Sequence, residues 1–319
     1  MAEPLFVVRA LARRGWDGPR HPVALERVLR TLRPRPALGA IVSLGTLVDA
    51  GTAVFLTLIV LEAGPRQNSD WHNTFVPASL ALLAGKSPYS VESFYNPPWV
   101  VPFLVPFALL PGPVGGLLFR LALVAGFTVS AAALGASRLA VALVFLSSPV
   151  LASLVYANLD CVPLLGLLLP RPLGMLLLAV KPQIGLGVMV VWILQTWRRD
   201  AVPGVIQLCG PLLGLTALSM ALFPPWPLQM AATPDLPWNL SLWPYTLPLG
   251  VALIWIALRR GKLGWALVAS PLFSPYVAIH SSSGAVVGMS GSVRLAALAA
   301  AASWLPFGFT WVLSLLESS

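Results

Sequence analysis

Eight polar side chains in an otherwise apolar chain have the types and placement for chemistry at one membrane face: Asp70, His72, Tyr89, Tyr95, Asn158, Asp160, Lys181 and His280. A carboxylate accepts a proton, an ammonium holds an anion, an imidazole does either, and phenols shape the surroundings of a polar ligand. Asp70 is the centre of this reading. It sits near the start of Asn68 to Pro98, NSDWHNTFVPASLALLAGKSPYSVESFYNPP, a polar stretch poor in Arg and Lys between two long apolar runs. The stretch reads as an extracytoplasmic loop lying on the membrane surface and holding the reactive carboxylate. Plainer readings stand beside it. A lone loop Asp is also a solvated turn residue, and Lys181 at a helix end is also a snorkelling interfacial lysine. Tyr89, Tyr95 and Trp99 fit an aromatic belt, and Asn158 and Asp160 fit polar glue between helices.

The elements that must position these groups are membrane helices. The chain of 319 residues is 57% hydrophobic and only 10% charged, with a mean hydropathy of +0.83. A soluble protein cannot bury that much apolar surface, and continuous apolar runs exclude the alternation of a β-barrel. The fold class expected is all-α, a polytopic integral membrane protein with roughly 10–12 transmembrane or re-entrant helices. The net charge of +9 is placed to match: Arg9, Arg13, Arg14, Arg20, Arg27, Arg30, Arg33 and Arg35 all precede the first span. That arrangement puts the N-terminus in the cytoplasm of a multi-pass cell-membrane protein and points to anionic lipid rather than nucleic acid. Cys161 and Cys209 lie in apolar runs, away from any disulfide framework or metal spacing. No glycine-rich phosphate loop follows a strand, and no histidine pair has ligand spacing, so neither metal nor nucleotide cofactor is expected.

Along the chain, residues 1–37 form a basic amphipathic segment for the cytoplasmic leaflet, and residues 38–319 form one transmembrane domain with an outer loop over 62–98. No cleavable signal is expected at the N-terminus. The first span covers about Ala37 to Leu61. Asp49 lies near its middle, where an unpaired charge costs at least ~2.5 kcal/mol. It reads as a partner of Arg120 or a protonated core carboxyl, with a direct role as the alternative. Val76 to Gly85 is an apolar helix too short to cross and suits the outer interface. Short broken runs follow near 97–111, 114–135, 139–157, 159–169 and 172–180, and such breaks at membrane depth belong where they line a cavity or pack inside protein. Counting crossings forward and backward disagrees at Arg138, so one run between 97 and 157 does not cross or two runs form one bent helix. Later runs at 183–197, 202–222, 245–258 and 263–279 alternate between the basic clusters at Arg198-Arg199 and Arg259 to Lys262. This places Lys181, the Phe223 to Tyr245 loop and His280 on the outer side with Asp70, and Arg171 inside.

The ordered set of Asp70, ALLAG (Ala81 to Gly85), Pro88-Tyr89 and Tyr95-Asn96-Pro97-Pro98 resembles glycosyltransferase family 87. Lys181-Pro182 and SPYVAIH (Ser274 to His280) resemble that family's later Lys-Pro and Ser-Pro…His pieces, so the likeness runs over residues 68 to 280. The family's Tyr shortly after the Asp is replaced here by Thr74-Phe75, and its Gly-Gln-x-Asn feature takes the form Ala157-Asn158-Leu159-Asp160. The resemblance implies a C-type glycosyltransferase fold using a polyprenyl-phosphate sugar, a mannose-like hexose, as donor and a lipid or glycan as acceptor at the extracytoplasmic face. It implies Asp70 as general base in an inverting displacement, with Lys181 gripping the departing phosphate. His280 would share that task or orient Asp70, and Tyr89 and Tyr95 would shape the sugar site. The remaining substrate-binding candidates are His72, Asn158 and Asp160. Two other functions compete. A transporter or lipid flippase is suggested by the broken spans and by Asp49 with Arg120, and a reduced chain of this length also suits an inactive member of the same fold.

Overall fold

The structure is a computed structural model, and it describes residues 70–223, 226–231 and 238–305. Among the described residues every regular element is helical and there is no strand. The first span, Asp49 and the 1–37 segment lie outside the described residues, so the Asp49–Arg120 pairing is not addressed.

Among the described residues two helices are long and apolar enough to cross a membrane, Gly112–Ala133 and Pro182–Leu222. A third crossing is available if Arg138–Phe145 and Ser148–Tyr156, bent by 63° at their join, act as one span. The bend falls inside the single run expected at 139–157. Pro149 lacks the N–H that would have bonded the carbonyl of Phe145, so the helical ladder cannot run through. The C-terminal end of helix Val293–Ala302 supports the break instead. Ser148 N donates to Ser303 Oγ at 3.1 Å, and Trp304 Nε1 donates to Leu146 O at 2.9 Å.

Helix Pro182–Leu222 is also not continuous: Ala201 departs to φ 49°, ψ −145°. The break comes directly after Trp197-Arg198-Arg199-Asp200, where the sequence separates the 183–197 and 202–222 runs. Elsewhere the structure corrects the reading. The run at 263–279 does not form one helix; Leu263–Ala269 continues as a 3-10 turn over Ser270–Phe273 and then becomes irregular. Pro271 and Pro275 account for this, since each removes a backbone donor and disfavours helix at the residue before it.

Glycines stop helices cleanly. Gly85 (φ 70°), Gly135 (φ 86°) and Gly261 (φ 63°) follow the ends of Val76–Leu83, Gly112–Ala133 and Leu247–Arg260. At Gly85 the hydrogen bonds are those of a Schellman cap: Gly85 N to Leu82 O at 3.0 Å and Lys86 N to Ala81 O at 2.9 Å.

Close helix approach rests on small residues, as is usual where lipid offers no competing hydrophobic drive. A Cβ on Gly187 would lie 2.0 Å from Ala266 O, and one on Gly126 would lie 2.8 Å from Cys161 Sγ. The first contact presses the Pro182 helix onto Leu263–Ala269. The second brings Cys161–Leu165, and with it Asp160, against Gly112–Ala133. Cys161 is accordingly a fully buried packing residue.

Candidate active site

Five of the eight sequence candidates meet in one cluster, from four separate parts of the chain. Asp70 precedes a π-helical turn, Trp71–Phe75, whose anchor is Trp71. That ring is 1% exposed and stacks on Phe119 with centroids 4.6 Å apart. The carboxylate is thereby fixed at the edge of an aromatic core.

Asn158 and Asp160 lie on the turn between Ser148–Tyr156 and Cys161–Leu165. The turn is again a Schellman cap, with Ala157 N bonded to Leu154 O (3.2 Å) and Asn158 N to Ser153 O (2.9 Å). Here the left-handed position is filled by Ala157 (φ 52°, ψ 55°) rather than glycine. An L-residue pays about 1–2 kcal/mol for that conformation, and the surroundings hold it. Arg120 reaches across from Gly112–Ala133 and donates to Leu154 O at 3.1 Å and Val155 O at 3.4 Å, satisfying the last carbonyls of the helix.

Lys181 precedes Pro182 in an extended conformation (φ −143°, ψ 89°), as a residue before proline must be, and caps the start of Pro182–Leu222. An ammonium at a helix N-terminus opposes the macrodipole. Its placement therefore depends on the anion beside it, Asp160, which is fully buried and ion-paired to it. His280 comes from the 3-10 turn Ile279–Ser282 and completes the group.

Asn158 is the connector. Its Nδ2 donates to Asp70 Oδ2, while its Oδ1 accepts from Lys181 Nζ at 2.6 Å and from Leu159 N at 2.7 Å. Asp70 and Lys181 are thus linked through one amide without direct contact. His280 Nδ1 lies 3.2 Å from Lys181 Nζ and straddles the Asp160 carboxylate at 3.3 Å from Oδ1 and 3.1 Å from Oδ2. A proton on Nδ1 gives the buried carboxylate its second donor and leaves Nε2 unprotonated in the neutral ring. The histidine therefore orients on Asp160 and Lys181, where a hydrogen bond to Asp70 had been one of the expectations. The Tyr156 ring stands edge-on to His280 at 6.3 Å.

Burial raises the Asp70 pKa above its ordinary 3.8, against the opposing pull of His280, Lys181 and the Asn158 amide; Asp160 adds a smaller upward push. The result is a carboxyl more basic than a surface aspartate, beside a cation already balanced by a second carboxylate. That is the electrostatics of a proton acceptor next to an anion-holding group.

The remaining three candidates stand apart from these hydrogen bonds. Tyr89 stacks on Trp226 with rings 6.3 Å apart and donates its hydroxyl to Asn96 O at 2.8 Å. It pins the loop: Asn96 Nδ2 in turn donates to Val180 O at 3.3 Å, next to Lys181. Tyr95 is half-buried and is an electrostatic neighbour of Tyr276. His72 is exposed on the π-helical turn. Three contributors escaped the sequence reading. Arg120 had been read only as a partner for Asp49. Tyr156 offered no signal beyond its position before Ala157-Asn158. Tyr276 lies inside the SPYVAIH segment, which had been singled out for its histidine.

No family model, no curated protein and no solved structure matches the chain. What can be stated outright is coarser than a family: among the described residues the chain is all-α, with two or three helices long and apolar enough to cross a membrane and a largely buried polar cluster of two carboxylates, an amide, an ammonium and an imidazole.

Proposed function

We propose that the protein is a membrane glycosyltransferase that moves a mannose-like hexose from a polyprenyl phosphate to a lipid or glycan acceptor at the extracytoplasmic face, with inversion. The observation that carries the proposal is the Asn158 bridge, which sets a carboxylate of raised pKa and an ammonium on either side of one amide. In this reading Asp70 accepts the proton of the incoming hydroxyl as that oxygen attacks the anomeric carbon. The bond to the lipid phosphate breaks, and the electron pair leaves on a phosphate oxygen that is a weak base, so no general acid is required. Lys181 neutralises the developing charge.

The ammonium now has three polar neighbours, Asn158 Oδ1, Asp160 Oδ1 and His280 Nδ1. A phosphate gains its contact by displacing one of them, and His280, at 3.2 Å, holds it least closely. Asp160 remains as the counter-ion of Lys181 between turnovers. The Ala157 conformation is in keeping with the resemblance, since a left-handed residue stands where the family's pattern has glycine.

The test is incubation of purified protein with a panel of prenyl-phosphate sugars, following release of free lipid phosphate. Wild type releases it with an acceptor present, and Asp70→Asn does not while keeping its expression and melting temperature. Full activity in Asp70→Asn refutes the base assignment. Substrate flux in sealed vesicles without group transfer refutes the enzyme.

A further inference from the structure

The segment that delivers His280 has its own support. Between the 3-10 turns Ser270–Phe273 and Ile279–Ser282 the chain is irregular, so its backbone groups need partners from elsewhere. Residues 239–241 supply them. Asn239 Nδ2 donates to Pro275 O at 2.8 Å, and Asn239 Oδ1 accepts from Val277 N at 2.9 Å. Leu240 N donates to Val277 O at 2.8 Å, and Ser241 Oγ donates to Ser274 O at 2.6 Å. Four hydrogen bonds within so few residues make this segment a fixed pedestal.

Tyr276 stands on that pedestal, half-buried, and Trp238 Nε1 lies 3.0 Å from its hydroxyl. An indole N–H only donates, so the phenol oxygen is the acceptor there and its own hydrogen must point elsewhere. Among the described residues that hydrogen has no acceptor. Burial raises the Tyr276 pKa, and the charges of Asp70 and Asp160, with the Tyr95 hydroxyl, raise it further. The phenol is therefore within electrostatic reach of both carboxylates and is a neutral donor.

We propose that Tyr276 is a ligand-contacting residue of the Asp70 site, its O–H donating to an oxygen of the sugar presented there and the Trp238 N–H fixing the direction of that donation. The sugar as ligand rests on the glycosyltransferase reading. The hydroxyl's role as a ligand donor rests on the Trp238 bond and on the place of Tyr276 in the braced segment that carries His280 into the cluster. A single neutral hydrogen bond of this kind sets affinity by about tenfold, and it does not set the rate of bond making.

The experiment uses the full chain in nanodiscs, with wild type, Tyr276→Phe, Trp238→Phe and the double variant. In the first arm, a polyprenyl-phosphate mannose is the donor and initial rates give KM and kcat. Tyr276→Phe raises KM about tenfold with kcat within about twofold of wild type. Trp238→Phe gives a smaller rise, and adding it to Tyr276→Phe changes nothing more, which a merely structural role would not produce. An unchanged KM in Tyr276→Phe overturns the proposal, as does full additivity of the two changes. In the second arm, thermal shift is titrated with farnesyl phosphate and, separately, with methyl mannoside. If wild type transfers no sugar, the glycosyltransferase reading falls and this arm decides. Weaker binding of either probe by Tyr276→Phe supports the ligand contact, and equal binding, or no binding by wild type, overturns it.

Discussion

Removing the Asn158 amide is the most discriminating single change. Asn158→Ala leaves three groups without their partner: Asp70 Oδ2, Lys181 Nζ and Leu159 N. The three losses differ in weight. Asp70 is only partly buried and regains water. Lys181 keeps Asp160 and His280. Leu159 is 0% exposed, so its N–H is stranded at a cost of about 1–3 kcal/mol. With a partial loss at the ammonium, the sum is about 3 kcal/mol, a fall of about 5 °C in melting temperature. Asn158→Asp tests the electrostatics instead. The carboxylate can still accept from Leu159 N and Lys181, so those two groups keep their partner. Asp70, however, gives up a donor and gains a like charge, which moves its pKa further up. The rising limb of transfer activity then shifts to higher pH in Asn158→Asp, and its melting temperature at neutral pH falls with that shift, recovering towards the wild-type value as pH is lowered. An Asn158→Ala protein melting within about 1 °C of wild type refutes the reasoning, because the bridge would then bear no stability.

Other expectations follow from the same geometry. Because burial holds the Asp70 pKa above 3.8 in the folded protein, the carboxylate form costs stability once pH exceeds that raised value; Asp70→Asn should therefore melt no lower than wild type at neutral pH while losing transfer, and a lower melting temperature would contradict this. Wild-type activity should rise with pH through an inflection above the ordinary carboxylate value, measured as kcat against pH. Gly187→Ala places a methyl 2.0 Å from a backbone carbonyl and should cost more than about 2 kcal/mol, whereas Gly214→Ala, with nothing within 4 Å, should be neutral or mildly stabilising. Ala157→Gly relieves the left-handed strain and should raise the melting temperature by about 2 °C.

Much of the helical layout can be read from punctuation. Gly85, Gly135 and Gly261 end their helices where glycine after an apolar run says they should, and the Trp-Arg-Arg-Asp cluster marks the break at Ala201. What escaped reading depends on contacts outside the local window. The bend at Leu146-Ser147 is completed by Ser303 and Trp304, some 155 residues away. Pro149 was a local hint, but an apolar run with one proline near a helix start is equally compatible with a straight span. The run at 263–279 differs, since its helix is broken locally by Pro271 and Pro275, a signal that the sequence itself carries.

For the site, residue type separated the members from the bystanders better than motif did. Asp70, Asn158, Asp160, Lys181 and His280 are groups whose burial costs energy unless they find one another, so predicting them on one face amounts to predicting that they pair. Tyr89, Tyr95 and His72 carry no such compulsion. A phenol ring satisfies itself by stacking, as Tyr89 does on Trp226, and needs one hydrogen bond that any carbonyl provides. An exposed imidazole such as His72 pays little desolvation and so is not driven into the cluster. The same logic explains why the carbonyl contacts of Arg120 escaped the sequence reading. A partly buried guanidinium demands acceptors, but five donors are met as well by helix-end carbonyls as by a carboxylate, and only the fold reveals that the end of Ser148–Tyr156 lies within reach. Charge pairing is thus legible in sequence when both signs are scarce and share a face, as with Asp160 and Lys181. It becomes illegible once backbone carbonyls compete for the cation, and at Arg120 they do.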